Sequence, residues 1–350
     1  MKKRIISVHG SYFAENYGDI LLVNMFSDWV KEADPSVIIN LPMVDKRKTP
    51  EMPESKTGLL NLIRSEKLVF CGGGYFGEQP KNKRKWALRN FYRHGIVALI
   101  ALVFRVPYIF VGVEFGPISA AWFRNFTIFI AKRAQRVVVR NEESKLFLEK
   151  YGVNGVELTV DAVLSLSDRV KPIDTSNNSK KIVLLHLSQP NLYKIQYTSF
   201  INELCKYIKN SKVEYELHLF FDTPENLSNY DFLINILKSN NINCCIDPYV
   251  NTRKVIDLIN NASYVFTSKL HVGITSASLN TPVFSFYAHP KTPRLHKQIG
   301  NSEFCYPLKN FLISGTTLRS FFIRTSFVLP EHVLQEARKN KQIVTSFVKM

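Results

Sequence analysis

The sequence predicts an α/β protein with two doubly wound, Rossmann-like domains in series. Its 350 residues exceed what one hydrophobic core normally fills, since a domain has roughly 100 to 200 residues. Short apolar runs alternate with longer amphipathic segments in both halves, which is typical of parallel sheets wrapped by helices. A polar segment at 167–181, rich in Ser, Asn, Asp and Pro, separates the halves and predicts a hinge.

The elements follow from these patterns in chain order. The N-terminal domain is predicted over 1–166, with strands at 4–8, 67–71, 107–113, 137–140 and 156–160 and helices at 19–32, 86–104, 120–133 and 142–151. The C-terminal domain is predicted over 182–329, with strands at 182–187, 215–220, 242–246, 264–267 and 283–286 and helices at 195–209, 228–238, 252–260 and 271–279.

A C-terminal helix over 330–350 is expected to begin at Pro330 and Glu331 and to pack back across the hinge. Two doubly wound domains joined in this way are expected to face each other across a cleft, an architecture called GT-B-like.

The net charge of +17 predicts an anionic partner such as nucleic acid, acidic lipid or a phosphorylated substrate. No zinc-finger, RRM or helix-turn-helix pattern occurs, so nucleic acid is not expected. Cations cluster at 46–48 and 81–93, where Trp86, Phe91 and Tyr92 are interleaved. Such a helix fits peripheral contact with an acidic membrane surface, and the alternative is a solvated face with a few core aromatics.

A cytoplasmic location is expected from the cysteines and the N-terminus. Five cysteines without C-x-x-C spacing suggest neither a zinc site nor a disulfide framework. The N-terminal apolar run stops at His9-Gly10, too short for a signal peptide, so export is not expected. The run 96–113 is interrupted by Arg105 and Pro107, which favours a buried helix and a strand over a membrane span.

An anion-binding site is predicted from the motif Ser268-Lys269-Leu270-His271 together with Lys291. The motif follows the predicted strand 264–267 and begins a short helix, and Lys291 follows the next strand. This is the edge of an open α/β sheet where ligands bind. Backbone N–H groups at a helix N-terminus favour phosphate or carboxylate, to which a lysine and a histidine add charge and a proton donor.

Two loops of the N-terminal domain are candidate parts of a second ligand site. Asn16-Tyr17-Gly18-Asp19 leads into the first helix, with Asp19 expected as its N-cap; alternatively, Asn16 and the helix start hold a ligand. Gly72-Gly73-Gly74 follows a strand, where glycines let the backbone approach a ligand or a neighbouring helix. Neither a dinucleotide fingerprint nor a P-loop passes through these glycines.

Charged residues also stand at strand ends in this domain. Glu114 is expected either to hold an acceptor hydroxyl or to lie in a surface turn. Arg140 offers a planar fork for carboxylate or phosphate, and the alternative is an ion pair with Glu142 or Asp161. Asp161 itself is expected to orient Arg140 or to cap a turn.

Together these motifs resemble the polysaccharide pyruvyl transferase family. The resemblance rests on Asn16 to Asp19, the Gly72-Gly73-Gly74 loop, residues 112–117 and 140–144, Ser268-Lys269-Leu270-His271, Asn280-Thr281-Pro282 and Tyr287 to Lys291, in order. It implies transfer of pyruvate from phosphoenolpyruvate, as co-substrate, to a sugar of a surface polysaccharide or its lipid-linked precursor, in exopolysaccharide biosynthesis. No metal or other cofactor is expected.

The resemblance also implies roles for individual residues. The cluster that holds phosphoenolpyruvate maps onto Arg140, Lys269, His271 and Lys291, with Ser268 and Leu270 beside it, and Lys269 stands where arginine is usual. The acceptor side maps onto Asn16, Asp19, Gly73, Gly74 and Glu114.

The chemistry suits these residue types. His271 can protonate the methylene carbon near neutral pH, while Lys291 and Arg140 neutralise phosphate and carboxylate. The alternative for His271 is a histidine that caps a helix. His289 and His296 are weaker candidates for the acid, both expected at the surface.

Two other functions compete with this reading. A glycosyltransferase of the same architecture would use a sugar nucleotide, but its usual late carboxylate is missing from 285–295, where His, Lys and Arg stand instead. A non-enzymatic protein that binds acidic glycan or lipid would also explain the charge.

Overall fold

In the computed structural model the chain divides into two compact units. The structure describes residues 4–13, 16–45, 51–78, 82–309, 313–324 and 326–350, so the predicted cluster 46–48 and Lys81 lie outside the described residues. Unit 1 comprises Met1–Val163 and Gln335–Met350, and unit 2 comprises Leu164–Leu334.

Unit 1 contains an eight-stranded sheet in which all pairs are parallel, with the order β3-β2-β1-β4-β6-β7-β8 and β5 paired to β6. Its strands are β1 (Ile5–His9), β2 (Ile38–Leu41), β3 (Lys56–Thr57), β4 (Lys67–Phe70), β5 (Gly73–Phe76), β6 (Tyr108–Phe115), β7 (Arg136–Val139) and β8 (Val156–Leu158). Its helices are α1 (Tyr17–Ala33), α2 (Leu59–Ile63), α3 (Lys83–Asn90), α4 (Ile96–Val103), α5 (Ala121–Ala131) and α6 (Glu142–Lys150), with a π-helix at Phe91–Gly95 between α3 and α4.

Unit 2 contains a six-stranded parallel sheet with the order β11-β10-β9-β12-β13-β14. Its strands are β9 (Lys180–His186), β10 (Glu214–Phe220), β11 (Cys244–Asp247), β12 (Tyr264–Thr267), β13 (Val283–Tyr287) and β14 (Cys305–Pro307). Its helices are α7 (Lys194–Lys209), α8 (Asp231–Ser239), α9 (Thr252–Asn261), α10 (Leu270–Ser278), α11 (Lys291–Gln298) and α12 (Gly315–Ile323), and α13 (Glu331–Lys349) follows them.

Each sheet has a point where the strand order reverses. In unit 1 it lies between β1 and β4, and in unit 2 between β9 and β12. Crossover connections leave on opposite sides of such a point, so the carboxyl ends of the two strands open a crevice there. The strand order of each sheet therefore determines where ligands are expected to bind.

The unit boundary lies before the predicted linker rather than within it. Residues 162–168 form a short 3-10 helix, and the segment after it hydrogen-bonds into unit 2. The Asn260 side chain accepts from the Ile173 amide at 3.1 Å and donates to the Lys171 carbonyl at 3.1 Å. These bonds hold residues 171–173 against α9, and the hinge at 167–181 stays a prediction.

The C-terminal helix α13 packs into unit 1 through its later residues. Asn340 is fully buried and donates to the Val160 carbonyl at 3.1 Å, while its Oδ1 accepts from the Thr159 hydroxyl at 3.1 Å. Arg4 and Lys67 donate to carbonyls near the end of the helix, at Val348 and Phe347. The last residues of the chain thus complete the core of unit 1.

Several details differ from the sequence prediction. Strands β2, β3, β5 and β14, of two to four residues each, were not predicted; of these, β3 and β14 are too short to carry a period. The N-cap of α1 is Asn16, whose side chain accepts from the Gly18 amide; Asp19 lies in the first turn, so its prediction as the cap was wrong. Within the described ranges, none of the helices combines the length and apolar character that a bilayer crossing requires.

Candidate functional site

The reversal point of unit 2 carries the predicted anion-binding residues. Ser268 and Lys269 directly follow β12, and Lys269 stands at the N-cap position of α10 without making a side-chain capping bond. The first amides of α10 therefore have no cap from this residue, and such amides bind anions well. His271 is the second residue of the helix, which places its ring at the same end.

Lys291 occupies the equivalent position on the next strand. It is the first residue of α11, which follows β13, and the preceding Pro290 provides no side-chain cap. Because β12 and β13 are parallel neighbours, the starts of α10 and α11 lie at the same edge of the sheet. The structure thus brings Lys269, His271 and Lys291 to one edge, each of them partly exposed.

Two further residues at this edge were not predicted. Asp222 follows β10 and His186 ends β9, and the carboxylate Oδ1 of Asp222 lies 3.0 Å from His186 Nε2 and 3.6 Å from Lys269 Nζ. Both side chains are at least 96% buried. Burial by itself would raise the pKa of Asp222, but His186, Lys269 and His271 lower it overall, so the carboxylate is ionised. The signal that could have found them is their position at strand ends, a polar residue after each apolar run.

Ser268 ties the two strands of the reversal point together. Its hydroxyl accepts from the Ser188 amide at 2.7 Å and lies 2.8 Å from the Ser188 hydroxyl, while its amide donates to the His186 carbonyl at 2.9 Å. These contacts fix the loop after β9 against the start of α10. Ser268 therefore shapes the crevice, and its predicted contact with a donor molecule stays a prediction.

The weaker histidine candidates differ from each other. His289 is exposed, as expected. His296 is fully buried and its Nδ1 lies 2.9 Å from the Asn301 carbonyl oxygen, so its prediction as a surface residue was wrong. Burial lowers the pKa of His296 to about 4, which makes it a neutral core histidine.

Arg140 lies in unit 1, between two carboxylates. Its Nη2 is 3.0 Å from Glu114 Oε2 and its Nη1 is 2.5 Å from Asp161 Oδ2, and all three side chains are 8% exposed. Burial alone would lower the pKa of Arg140, but the two carboxylates raise it overall, so the guanidinium is charged. The structure thus shows the ion pair with Asp161, which was the alternative to donor binding, and Glu114 is buried in β6 rather than in a surface turn.

The order of the strands brings Glu114, Arg140 and Asp161 together, and these three residues are called the triad below. Glu114 lies near the end of β6, Arg140 directly follows β7 and Asp161 lies after β8, and these strands are neighbours. Two carboxylates and one guanidinium give the group a net charge of about −1. An anionic donor is not attracted to such a group, so binding of the donor by Arg140 stays a prediction that stability and kinetics can test.

The remaining predicted residues of unit 1 lie at its own reversal point or beside it. Asn16 Nδ2 donates to Asp19 Oδ2 at 2.9 Å, so the two polar side chains form one pair at the start of α1. Gly73 has a φ of +148°, and a Cβ there would meet the ring of Tyr75 at 2.9 Å. Gly73 is therefore required by local packing, and contact of Gly73 or Gly74 with an acceptor stays a prediction.

A buried pair of histidines, His9 and His94, lies beside the same reversal point. His9 ends β1, its Nε2 lies 2.9 Å from His94 Nδ1, and its Nδ1 lies 2.7 Å from the Tyr12 hydroxyl. The ring of Tyr75 stacks on His94 at 4.2 Å between centroids. Burial lowers the pKa of His9 to about 3, so the pair is neutral and holds the loop after β1 in place.

Comparisons with known proteins agree with the motifs. The model of the family described as polysaccharide pyruvyl transferase matches residues 16–290, well over half of the chain. The match contains the triad and the Ser268 to His271 motif, and it ends one residue before Lys291. A search of curated proteins gave no match.

Solved structures similar to this chain include UDP-N-acetylglucosamine 2-epimerases. The protein from Methanocaldococcus jannaschii has a TM-score of 0.63 at 12% identity, with 98% of this chain and 99% of that chain covered. The Neisseria meningitidis protein, solved with UDP-GlcNAc, has a TM-score of 0.61 at 12% identity, with 99% and 100% covered. A putative Listeria monocytogenes epimerase has a TM-score of 0.61 at 9% identity, with 98% and 91% covered.

Identities this low show the fold alone. They confirm the predicted fold class, α/β with two parallel-sheet domains of the GT-B-like type.

Proposed function

Because the chain belongs to the polysaccharide pyruvyl transferase family, we propose that it uses phosphoenolpyruvate to form a cyclic pyruvate ketal on a sugar. The acceptor would be a sugar of a surface polysaccharide or of its lipid-linked precursor, in exopolysaccharide biosynthesis. The observation that carries the proposal is the set of cations Lys269, His271 and Lys291 at the reversal edge of unit 2, inside or beside the family match.

The donor site would be formed by unit 2. Phosphoenolpyruvate carries a phosphate and a carboxylate, and two uncapped helix starts with a lysine at each suit two anionic groups. Asp222 would set the direction of Lys269, because its buried carboxylate lies 3.6 Å from Nζ. Ser268 and Leu270 would line the same site as neighbours of these cations.

The reaction needs one general acid and positively charged groups that stabilise the negative charge on the leaving phosphate. In the proposed reaction, His271 protonates the methylene carbon of phosphoenolpyruvate and a sugar hydroxyl adds to the adjacent carbon. The bond between that carbon and the bridging oxygen of the phosphate then breaks, and a second sugar hydroxyl adds to the same carbon to close the ketal. The two hydroxyls release two protons, of which one restores His271 and the other goes to phosphate or solvent. Lys269 and Lys291 would stabilise the charge that develops on the leaving phosphate.

The acceptor side would be formed by unit 1, with Asn16, Asp19, Gly73, Gly74 and Glu114 as the predicted contacts. Glu114 would hold an acceptor hydroxyl, with Arg140 fixing the direction of its carboxylate from 3.0 Å. This assignment is supported by the position of these residues at strand ends and helix starts.

Phosphate release tests the proposal directly. Purified protein is incubated with phosphoenolpyruvate and a pool of lipid-linked or nucleotide sugars, and free phosphate and one added pyruvylidene group per acceptor are measured. His271→Gln should abolish turnover, while His289→Asn, an exposed histidine of the same edge, should keep it. Lys291→Met should raise KM for phosphoenolpyruvate about tenfold or more, whereas Lys297→Met on the same helix should not.

Release of a nucleoside diphosphate without phosphate would instead favour the glycosyltransferase of the same architecture. Retention of glycan or lipid without either product would favour the binding protein.

A cytoplasmic location with peripheral contact to the inner face of the cell membrane is the second part of the proposal. Leu88, Tyr92, Val103 and Trp122 are each 49–67% exposed on α3, the π-helix, α4 and α5. Leu88 and Trp122 line one groove together with Arg84. Trp86 is 4% exposed and packs on Phe123, so of the predicted aromatics Tyr92 supplies the exposed ring.

Helices α3 to α5 form this apolar surface, and the segment that contains them carries an excess of positive charge, which would attract it to an acidic bilayer. Residues 83–131, from the start of α3 to the end of α5, contain seven Lys or Arg and a single acidic residue, Glu114, which is buried beside Arg140. Burying one large apolar side chain contributes about 1.5–3 kcal/mol, and a cation near an acidic surface about 1 kcal/mol. Together these contributions suit reversible attachment close to a lipid-linked acceptor.

Vesicle binding tests the attachment. The protein should sediment with phosphatidylcholine vesicles containing phosphatidylglycerol and much less with phosphatidylcholine alone, and salt should weaken the binding. Leu88→Ser with Trp122→Ser should reduce it at least tenfold, while Ile195→Ser, which removes an 82% exposed side chain from unit 2, should not. Equal binding by both variants would contradict the assignment of this surface.

A further inference from the structure

A cluster of three different ligand types lies on the outer strands of the unit 2 sheet. Glu216 and His218 are two residues apart on β10, so their side chains share one face of the sheet. The parallel register places Cys245 of β11 opposite His218. The other face of β10, through Leu217 and Leu219, packs into the core of unit 2. Strand period and register alone therefore bring a carboxylate, an imidazole and a thiol together.

The distances within this cluster suit a small divalent ion. His218 Nε2 lies 3.3 Å from Glu216 Oε1, and Cys245 Sγ lies 3.7 Å from the same oxygen. One ligand atom from each residue lies within 4.8 Å of the others. Tetrahedral zinc with bonds of about 2.0–2.3 Å separates its ligand atoms by about 3.3–3.7 Å. A modest side-chain adjustment is enough to surround one ion.

The orientation of His218 supports the same conclusion. Its Nδ1 lies 2.7 Å from Asp247 Oδ2, the carboxylate–histidine pair that commonly fixes a metal-binding imidazole. The second ring nitrogen, Nε2, faces the Glu216 carboxylate oxygen at 3.3 Å, so these two atoms are placed to bind one ion. Lys180 does not fill this position, because its Nζ lies 3.0 Å from the other oxygen, Oε2.

We propose that Glu216, His218 and Cys245 bind one zinc-class divalent ion, with Asp247 orienting the imidazole and a fourth position open to water. Ions can reach the cluster, because Cys245 is exposed and the Glu216 side chain is 33% exposed. The thiol releases its proton to solvent as the sulfur–metal bond forms. The ion would link the edge strand β11 to β10. It shares no residue with the proposed pyruvyl transfer site, so either proposal can fail alone.

Cobalt titration of the full chain tests this site. Co²⁺ bound to a thiolate gives a near-ultraviolet charge-transfer band, which reports the sulfur ligand independently of activity. The wild type should bind one Co²⁺ per chain with this band, and Zn²⁺ should displace it. Cys245→Ser should lose the band, and Asp247→Asn should weaken binding by about 10- to 100-fold.

Cys244→Ser is the matched control, because residue 244 precedes Cys245 on the same strand and its side chain points to the opposite face. It should bind like the wild type. A wild-type protein without the band, or with a band that survives Cys245→Ser, would overturn the proposal. So would an NMR signal showing a doubly protonated His218 ring at pH 7 that Zn²⁺ leaves unchanged, since a proton would then take the place of the ion.

Discussion

Replacement of Arg140 by methionine tests whether this residue is structural or binds the donor. Methionine keeps the unbranched, flexible side chain but removes the charge, which leaves Glu114 and Asp161 buried side by side without a cation. Removing one partner of a buried ion pair costs about 3–5 kcal/mol, because the remaining charge stays desolvated. For a domain of this size each kcal/mol lowers Tm by about 2–4 °C, so the expected decrease is about 6–20 °C.

Tryptophan fluorescence measures this effect in unit 1 alone. The three tryptophans of the chain, Trp29, Trp86 and Trp122, all lie in unit 1, so their emission reports its unfolding in urea or heat. Arg136→Met is the matched control from the adjoining strand β7. Its guanidinium binds Glu157 at 2.7 Å but the side chain is 40% exposed, so the expected loss is below about 1 kcal/mol.

Two outcomes would refute the structural assignment of Arg140. One is an Arg140→Met protein that unfolds like the wild type. The second outcome concerns the triple variant in which Glu114→Gln and Asp161→Asn are added to Arg140→Met. Neutral amides remove the two desolvated charges, so this variant should be more stable than Arg140→Met alone, and equal stability would refute the assignment. A raised KM for phosphoenolpyruvate with unchanged stability would show that the donor-binding prediction for Arg140 was right.

Three further predictions concern charge in both units. Lys269→Arg should lower KM for phosphoenolpyruvate with little change in kcat, because the guanidinium offers a two-pronged contact to an anion; a higher KM in phosphate-release assays would contradict this. Asp222→Asn should move the alkaline limb of the pH–rate profile to lower pH, because the protonated His271 ring loses a nearby carboxylate; an unchanged profile would remove this role. As the pH falls below 6.5, His9 and His94 should each lower the stability of unit 1 by up to about 1.4 kcal/mol per pH unit, because the unfolded chain protonates both rings whereas burial lowers their pKa in the folded unit, that of His9 to about 3. Urea midpoints by fluorescence should show this dependence weakened in His9→Asn.

Alternating apolar strands and amphipathic helices were enough to predict the two parallel sheets. Strands such as β6 and β12 are buried along their whole length, so most of their residues are apolar. The short edge strands β3 and β14 were missed, because two or three residues carry no period. The predicted end of the first domain at 166 lies three residues after the end of unit 1 at Val163.

The anion site was predicted from residue types at strand ends and helix starts, and unit 2 places Lys269, His271 and Lys291 at one edge. The positions of Asp222 and His186 at strand ends follow the same pattern, but their contact with each other could not be predicted. Their partnership depends on β9 lying between β10 and β12, a neighbour relation between segments more than thirty residues apart in the chain.

By itself, the sequence determined the fold class, the family and the positions of the cations relative to each strand and helix, because these depend on local periodicity and short motifs. Tertiary structure alone decided which charges pair. Arg140 lies between Glu114 and Asp161 only because β6, β7 and β8 are neighbours in the sheet, and Cys245 meets His218 only through the register of β10 and β11. Electrostatic energy depends on the distance between charges and on their burial, and both are set when the strands pair.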